Sequence, residues 1–381
     1  MSLAEHYTRF DVGNRLLLTG HSHQAWPDVA LDGQIEAFAD AASTVDEKWE
    51  RAFAKADRVR GWFRTLLHDP SGDITLGANT HELIVRFLSA LDLDRRPRLV
   101  TTDGEFHTLR RQLARLGEER VDVVLVPALP AETLAERLAS EVDDRTAAVL
   151  VSSVLFETSR IVPGLDALAW ACAKRGAELL VDAYHALGVV PMTLDGLADA
   201  WVVGGGYKYL QLGEGNCFLR LPPHAQELRP VITGWFAEFD ALADEKDPNR
   251  VTYGPGATRF AGSTYDPTSN YRAARVIEFF RSQGLTPEVL REISLRQTTL
   301  LADAFDALNL PEATRDRSVP RTSFGGFLAV QTPHAGAWQK ALAARGVLTD
   351  SRGQYLRFGP APYLRDDQLV AAMTVLGEVG R

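Results

Sequence analysis

Three residues that could do chemistry together lie close in the sequence: Asp182, His185 and Lys208. Asp182 directly follows the apolar run 178–181, and Lys208 follows a second apolar run, 200–203, and a turn of three glycines. We interpret both runs as buried strands. A lysine in apolar and aromatic surroundings is partly desolvated, which lowers its pKa and suits its amine to Schiff-base chemistry. Taken alone, the aspartate could instead cap a helix or lie in a loop, and the lysine could lie on an exposed turn.

Strands and helices alternate along the first two thirds of the chain and predict the elements that position these residues. Strands are predicted at residues 98–102, 121–127, 146–152, 178–181 and 200–203, and helices at residues 46–67, 132–141 and 165–175. This alternation is typical of a doubly wound, mostly parallel α/β sheet. Several strands end in Thr, Asp, Ser or Gly, so one edge of the sheet is polar. Because open parallel sheets bind ligands at the carboxyl ends of their strands, we predict the site at this edge.

The segment 74–84 predicts a strand or turn that leads into a helix beginning near Asn79 or Thr80. The first turn of a helix offers free N–H groups and the positive end of the helix dipole, which together favour a phosphate dianion. Asn and Thr are also ordinary N-caps. Taken alone the segment is a weak signal for a phosphate site, and its value lies in its position at the helix that opens this domain.

The rest of the chain predicts a smaller α/β region. Residues from 271 onward have a helical pattern, and a further helix opens with Thr286 as its N-cap and Pro287 at its first position. Short strands are predicted at residues 324–330 and from residue 347 onward.

The motifs around the aspartate and the lysine resemble those of enzymes that use pyridoxal 5′-phosphate. The run DAYHALG is similar to D-x-A-H-A-x-G, and YKYLQLGEG is similar to Y-K-Y-L-x-x-G-x-G. Both are motifs of the kynureninases, in the class V aminotransferase and cysteine desulfurase superfamily. The resemblance implies an α/β, fold-type I transferase with a large domain, built on a mostly parallel sheet flanked by helices, and a small α/β C-terminal domain. It places the large domain at residues 45–255 and the small one at 1–44 with 256–381.

The resemblance also implies roles for individual residues. Lys208 carries the cofactor as a Schiff base, Asp182 pairs with its pyridine nitrogen, and His185 lies near its ring oxygen. Further cofactor contacts fall to Tyr207, Phe106, Gly77, Ala78, Asn79 and Thr80, with Tyr207 at the phosphate and Phe106 stacked on the ring. One position departs from the family: Tyr184 stands where an alanine usually lies under the ring.

Two segments near the middle of the chain imply a homodimer with shared active sites. The run TGWF resembles the family's G-W-W/F motif, and RFAGST resembles the stretch that reaches the cofactor phosphate of the neighbouring subunit. The residues assigned to the partner's site are Trp235, Gly262, Ser263 and Thr264.

Substrate contacts are implied at both ends of the chain. Arg357 lies in LRFGPAPY, which resembles I-R-x-x-P-x-P-L-Y, and there it binds the α-carboxylate of the substrate with its forked guanidinium. His21 and His23 lie in GHSHQ, where kynureninases have G-N-S-x-G near the substrate. A second divergent segment is STYDP, where kynureninases have S-N-P-P.

Composition narrows the possible partners. The chain has 381 residues, of which 45% are hydrophobic and 24% charged, with a formal net charge of −9 and no basic stripe, so we predict no nucleic-acid partner. It has no apolar run of about 18 residues, so we predict no membrane partner. Two histidines with no evident third ligand predict no metal site. Two cysteines are too few for a disulfide framework, so we predict a cytoplasmic protein.

The predicted reaction is a kynureninase-like hydrolysis of the Cβ–Cγ bond of L-kynurenine, or of a related amino acid, to anthranilate and alanine. The alternative is a class V aminotransferase or lyase that acts on another small amino acid, which the two divergent segments would suit. A cysteine desulfurase is disfavoured because Cys172 is predicted in a helix and Cys217 on an apolar strand, neither on a mobile loop. A non-catalytic binding protein is disfavoured because the lysine and the aspartate are both present.

Overall fold

A computed structural model describes residues 2–244 and 247–381 of the chain. Its strands are β1 (Leu16–Leu17), β2 (Asp73–Gly77), β3 (Arg98–Thr102), β4 (Asp122–Val126), β5 (Thr146–Ser152), β6 (Glu178–Asp182), β7 (Trp201–Gly205), β8 (Cys217–Leu221), β9 (Thr314–Arg315), β10 (Leu328–Gln331), β11 (Val347–Leu348), β12 (Asp350–Arg352) and β13 (Tyr355–Phe358). Its α-helices are α1 (Val29–Thr44), α2 (Lys48–Leu66), α3 (Thr80–Ser89), α4 (His107–Gly117), α5 (Leu134–Ser140), α6 (Leu165–Arg175), α7 (Thr268–Ser282), α8 (Pro287–Leu308), α9 (Ala335–Ala344) and α10 (Asp366–Val379). Short 3₁₀ helices lie at Leu3–His6, Thr8–Phe10, Val12–Asn14, Ala131–Thr133, Pro223–Glu227, Trp235–Ala241, Gly256–Phe260 and Arg321–Ser323.

A seven-stranded sheet in the order β2-β8-β7-β6-β5-β3-β4 forms the centre of the larger layer. Strands β3 to β7 are parallel to one another, and β8 is antiparallel to both β7 and β2. The predicted α/β architecture is therefore confirmed, and the five predicted strands of this sheet agree with the observed bounds to within two residues.

The central strands are apolar because both of their faces are covered. Every residue of β5 is buried, and from Ala148 to Val151 its side chains alternate between two cores. Val149 and Val151 face the core that contains residues of α2, α5 and α6, whereas Leu150 faces the core that contains residues of α3 and α4. Each such side chain stabilises the fold by about 1.5–3 kcal/mol relative to an exposed one. Burial on both faces therefore holds the sheet, and with it the ends of its strands, in fixed positions.

The C-terminal part of the chain forms a four-stranded antiparallel sheet in the order β12-β13-β10-β9. The N-terminal segment joins this part, because β1 pairs in parallel with β11. The predicted strand at residues 324–330 is partly wrong, since only Leu328–Gln331 is a strand. The chain before it passes against Tyr209, where a Cβ on Gly326 would lie 2.7 Å from the ring. The proposed domain boundaries at residues 44/45 and 255/256 stay a prediction.

Within the described residues, no helix is long and apolar enough to span a membrane. The same residues contain no group of three or more His, Cys, Asp or Glu side chains that could hold a metal ion.

Candidate active site

Lys208 and Asp182 are held at the ends of two adjacent parallel strands. Asp182 is the last residue of β6 and pairs with Val203 of β7, and the chain reaches Lys208 three residues after β7 ends. The Asp182 carboxylate accepts a 2.8 Å hydrogen bond from the backbone N–H of Tyr184. Lys208 is only 6% exposed, and its Nζ lies 2.7 Å from Nε2 of His185. The structure therefore brings Asp182, His185 and Lys208 together.

Burial changes the protonation of all three groups. It lowers the pKa of Lys208 to about 7, and the nearby Asp182 carboxylate opposes this shift. It raises the pKa of Asp182, against the opposing effects of the Tyr184 N–H and of Lys208. It also lowers the pKa of His185 well below its ordinary value, and the Lys208 charge adds to that shift. Near neutral pH a large fraction of the Lys208 amine is consequently unprotonated and nucleophilic.

The lowered pKa predicts how an aldehyde is captured by Lys208. The neutral amine is the reactive form, so raising the pH through about 7 deprotonates Lys208 and speeds the reaction. We expect the capture rate to increase about tenfold between about pH 6 and pH 8 and then to level off. Stopped-flow absorbance with the cofactor-free chain and pyridoxal phosphate measures this rate. Free lysine is the control, because its rate continues to rise towards about pH 10. A protein profile parallel to that of free lysine would contradict the assigned shift.

Three aromatic rings surround the amine of Lys208. Its Nζ lies 4.6 Å from the ring centroid of Tyr184, 5.4 Å from that of Phe106 and 5.9 Å from that of Tyr207. These rings exclude water from the amine, which is why burial dominates its pKa.

A cavity of about 1390 Å³ opens in front of these rings. Its wall includes Phe106, Tyr184 and Tyr207 on one side and the start of helix α3, at Asn79 and Thr80, on another. The Asn79 side chain caps this helix by accepting a 3.0 Å bond from the N–H of Glu82. The cavity thus joins the three aromatic rings that surround the Lys208 amine to a helix N-terminus.

Gly77 and Ala78 connect β2 to helix α3. A Cβ on Gly77 would lie 2.9 Å from the side chain of Leu83, so glycine allows the strand end to lie directly against the helix. This close packing sets the position of the helix start at the edge of the cavity.

A second group of polar atoms lies around Phe327, on the C-terminal side of the site. Arg357 is 3% exposed and donates hydrogen bonds to the Asp350 carboxylate and to the carbonyl of Phe156. His21 is fully buried, with its Nε2 3.7 Å from Asp350 and its ring 4.7 Å from that of Phe327. Neither ring nitrogen of His21 nor Nε of Arg357 has a hydrogen-bond partner among the described residues. Unpartnered buried donors and acceptors of this kind mark a place where water or a polar ligand is bound.

The imidazole of His21 is neutral, because burial lowers its pKa to about 3. Partial burial raises the pKa of the neighbouring Asp350, but the close approach of His21 and the positive charge of Arg357 outweigh it and hold that pKa well below the ordinary range. His23 lies elsewhere: it is exposed, and its ring stacks on Tyr207 with a centroid distance of 4.8 Å. The two histidines of GHSHQ therefore lie on different sides of the site.

The residues assigned to a partner subunit lie together, apart from the cavity in front of Lys208. Trp235 is 43% exposed, and its Nε1 donates a 3.2 Å bond to Oγ1 of Thr264. The carbonyl of Gly262 accepts a bond from the N–H of Phe236, and Ser263 lies beside it. None of the four assigned residues is among the described residues that line the cavity.

Sequence reasoning missed Glu105. Its carboxyl is buried, accepting bonds from Oγ1 of Thr102 at 2.8 Å and from Oγ of Ser152 at 2.6 Å. Burial raises its pKa to about 7 even though both bonds lower it. Glu105 joins the ends of β3 and β5 and directly precedes Phe106. No sequence pattern distinguishes such a residue from an acidic residue in the first turn of a helix.

Both cysteines are free and buried, Cys172 in α6 and Cys217 in β8, as predicted. Burial raises the pKa of each thiol to about 12, so both are protonated near neutral pH. Cys217 also makes a contact that its apolar strand did not predict. Its Sγ lies 3.6 Å from the Tyr184 hydroxyl, and both residues line the cavity. The predicted cytoplasmic location stays a prediction.

Two sets of known proteins are similar to this chain. It is 26% identical to the kynureninase of Pseudomonas fluorescens, over 92% of this chain and 89% of the relative. It is 24% identical to the kynureninase of Burkholderia pseudomallei (strain K96243), over 91% of this chain and 84% of the relative. No protein-family profile matches it.

Solved structures share the fold. A C-DES mutant with glycine covalently linked to its PLP cofactor superposes with a TM-score of 0.84 at 16% identity, over 99% of this chain and 100% of that one. The cystine C-S lyase C-DES in complex with cysteine persulfide gives a TM-score of 0.82 at 16% identity, over 97% and 99%. The apo cysteine desulfurase of Thermococcus onnurineus NA1 gives 0.79 at 15% identity, over 97% and 95%. The chain therefore has the fold of these enzymes, and in sequence it is a relative of the kynureninases.

Proposed function

We propose that this relative of the kynureninases is a pyridoxal-phosphate enzyme that hydrolyses the Cβ–Cγ bond of L-kynurenine, or of a related amino acid, to anthranilate and alanine. One observation carries the proposal. A buried lysine with a pKa lowered to about 7 lies beside a buried carboxylate, at the ligand-binding edge of a parallel sheet.

The residues at this edge fit the cofactor. Nδ1 of His185 is buried without a hydrogen-bond partner among the described residues, and the buried Asp182 carboxylate accepts a bond from the N–H of Tyr184. A protonated pyridine ring would place a positive charge next to that carboxylate. The start of helix α3, at the wall of the same cavity, suits the phosphate. These features support Lys208, Asp182, His185, Phe106 and Tyr207 as residues that hold the group.

When bound, the cofactor withdraws electrons from the substrate carbon that loses a proton. The protein supplies the remaining functions. Lys208 would hold the cofactor, and its amine, when free, would move the proton that leaves the substrate carbon. Asp182 would favour the protonated form of the pyridine nitrogen. The rings around Lys208 keep bulk water away from the amine, so that its pKa stays near the working pH.

Arg357 is the proposed contact for the substrate α-carboxylate. Its Nη groups already bond Asp350 and Phe156, and its unpartnered Nε leaves one edge of the guanidinium available. His21, whose two ring nitrogens are also unpartnered, lies on the same side and is a second proposed substrate contact. His23 is a third, at the Tyr207 side of the cavity.

Replacement of Arg357 by leucine is expected to lower kcat/KM about 10- to 150-fold, because a hydrogen bond to a charged group is worth about 1.5–3 kcal/mol. Arg352→Leu is the matched control, since Arg352 also bonds Asp350, at 2.7 Å. Steady-state kinetics with L-kynurenine and with its decarboxylated analogue make the comparison. The loss should be confined to the substrate that carries the carboxylate. An equal loss on both substrates would show that Arg357 acts only through the fold.

A homodimer is part of the proposal. Large apolar side chains on the segment that carries Trp235 are exposed in the isolated chain, among them Val231 (80%), Ile232 (50%) and Val251 (55%). Clustered exposure of this kind is typical of a protein interface. It supports a partner subunit that covers this segment and receives Trp235, Gly262, Ser263 and Thr264 at its own cofactor site.

Product analysis tests the proposed reaction. Purified protein loaded with pyridoxal phosphate is mixed with L-kynurenine, and anthranilate fluorescence and alanine are followed together. Equal release of both products is expected. Conversion of the cofactor spectrum by small amino acids without anthranilate would favour an aminotransferase or lyase instead, with the GHSHQ and STYDP segments selecting a different side chain.

A further inference from the structure

The ring of Tyr184 lies close to Lys208 and fills space that a glycine leaves open. It is 6% exposed, and its hydroxyl points away from the amine towards Cys217. A Cβ on Gly205 would lie 2.4 Å from this hydroxyl and 2.6 Å from Cζ of the ring. Any side chain at position 205 would therefore expel the phenol. Gly205, the middle one of the three consecutive glycines before Lys208, thus leaves the space that the phenol fills.

The face of the Tyr184 ring is directed at the site. Lys208 Nζ lies over this ring, 4.6 Å from its centroid, and over the Phe106 ring at 5.4 Å. Both rings also line the cavity of about 1390 Å³. The amine that would carry the cofactor is therefore bounded by two aromatic surfaces contributed by different strand ends, Phe106 after β3 and Tyr184 after β6.

We propose that Tyr184 and Phe106 form the two walls of the cofactor slot, so that the pyridine ring stacks on an aromatic residue on both of its faces. This inference rests on the proposed function. A protonated pyridine ring is electron-poor and positively charged, and a phenol ring presents a negative face, so contact between them is favourable. Tyr184 is then a cofactor-binding residue, and Gly205 and Cys217 are the positioning residues that hold its ring.

Cofactor affinity, measured on the full chain, tests this inference. Wild type, Tyr184→Phe and Tyr184→Ala are loaded with pyridoxal phosphate and dialysed against graded cofactor concentrations, and the bound fraction is read by absorbance. Binding of pyridoxamine 5′-phosphate, which forms no bond with Lys208, is measured in parallel. We expect Tyr184→Ala to weaken both affinities about three- to tenfold and Tyr184→Phe to stay within about twofold of wild type.

Phe106→Leu is a second variant, which tests the inference even if the Tyr184→Ala protein does not fold. It should weaken pyridoxamine phosphate binding in the same direction as Tyr184→Ala, and thermal unfolding of each cofactor-free variant verifies that it folds. Unchanged or tighter binding by Tyr184→Ala would overturn the inference, because the phenol would then fill or obstruct the slot instead of lining it. Failure of the wild type to bind pyridoxal phosphate would overturn the proposed function as well, so the two failures are distinguishable.

Discussion

Replacement of Lys208 by alanine is expected to lower the rate of product formation by at least about 1000-fold, since in the proposed function the same amine would carry the cofactor and move the proton. The expectation follows from the position of Nζ, which is buried between three rings and lies 2.7 Å from His185. Anthranilate release under saturating L-kynurenine measures the rate, and the absorbance of the loaded protein shows whether the cofactor is attached.

Lys174→Ala is the matched control for this experiment. Lys174 also lies over an aromatic ring, 4.9 Å from the centroid of Trp170, but it is exposed to solvent on helix α6. It should leave both the rate and the spectrum unchanged. A Lys208→Ala protein that keeps the wild-type spectrum would mean that the cofactor is attached elsewhere.

Replacement of Asp182 by asparagine is expected to lower kcat by about 100-fold or more, in the range found when one preorganised electrostatic group is removed from a buried site. The amide has nearly the same shape and still accepts the N–H of Tyr184, so the strand end should keep its geometry. What is lost is the negative charge that we propose to lie beside the pyridine nitrogen.

The spectrum and the rate separate this effect from misfolding. The Asp182→Asn protein should still bind pyridoxal phosphate, with a band altered by loss of ring protonation, and should unfold near the wild-type temperature. Asp195→Asn, which replaces an exposed carboxylate, is the control. Wild-type kcat in the Asp182→Asn protein would contradict the assignment of Asp182 to the cofactor nitrogen.

The strands and the helix that position the site could be predicted from the sequence, because the patterns that indicate them are local. The apolar runs before Asp182 and Lys208 are buried strands, and the polar residues that follow them lie at one edge of the sheet, as β-α alternation requires. The helix after Asn79 begins where its cap predicted, at Thr80. Such features depend on periodicity and capping, which a few neighbouring residues determine.

The remaining features depend on contacts between distant segments and could not be predicted. The Glu105 carboxyl bonds Ser152 across two strands, 47 positions along the chain. The orientation of the Tyr184 ring depends on the absence of a side chain at Gly205 and on Cys217. The prediction of a strand at residues 324–330 was partly wrong, since the strand is Leu328–Gln331. A pattern of apolar residues cannot predict that Gly326 packs closely on the distant Tyr209.

Chemical trapping on the loaded protein tests the central claim most directly. Borohydride reduces the bond between pyridoxal phosphate and the amine that holds it, and peptide mass spectrometry then locates the attached pyridoxyl group. A single stoichiometric label on Lys208, absent after Lys208→Ala, is the predicted result. Labelling spread over exposed lysines such as Lys174, with Lys208 unmodified, would contradict the assignment of the site and with it the proposed reaction.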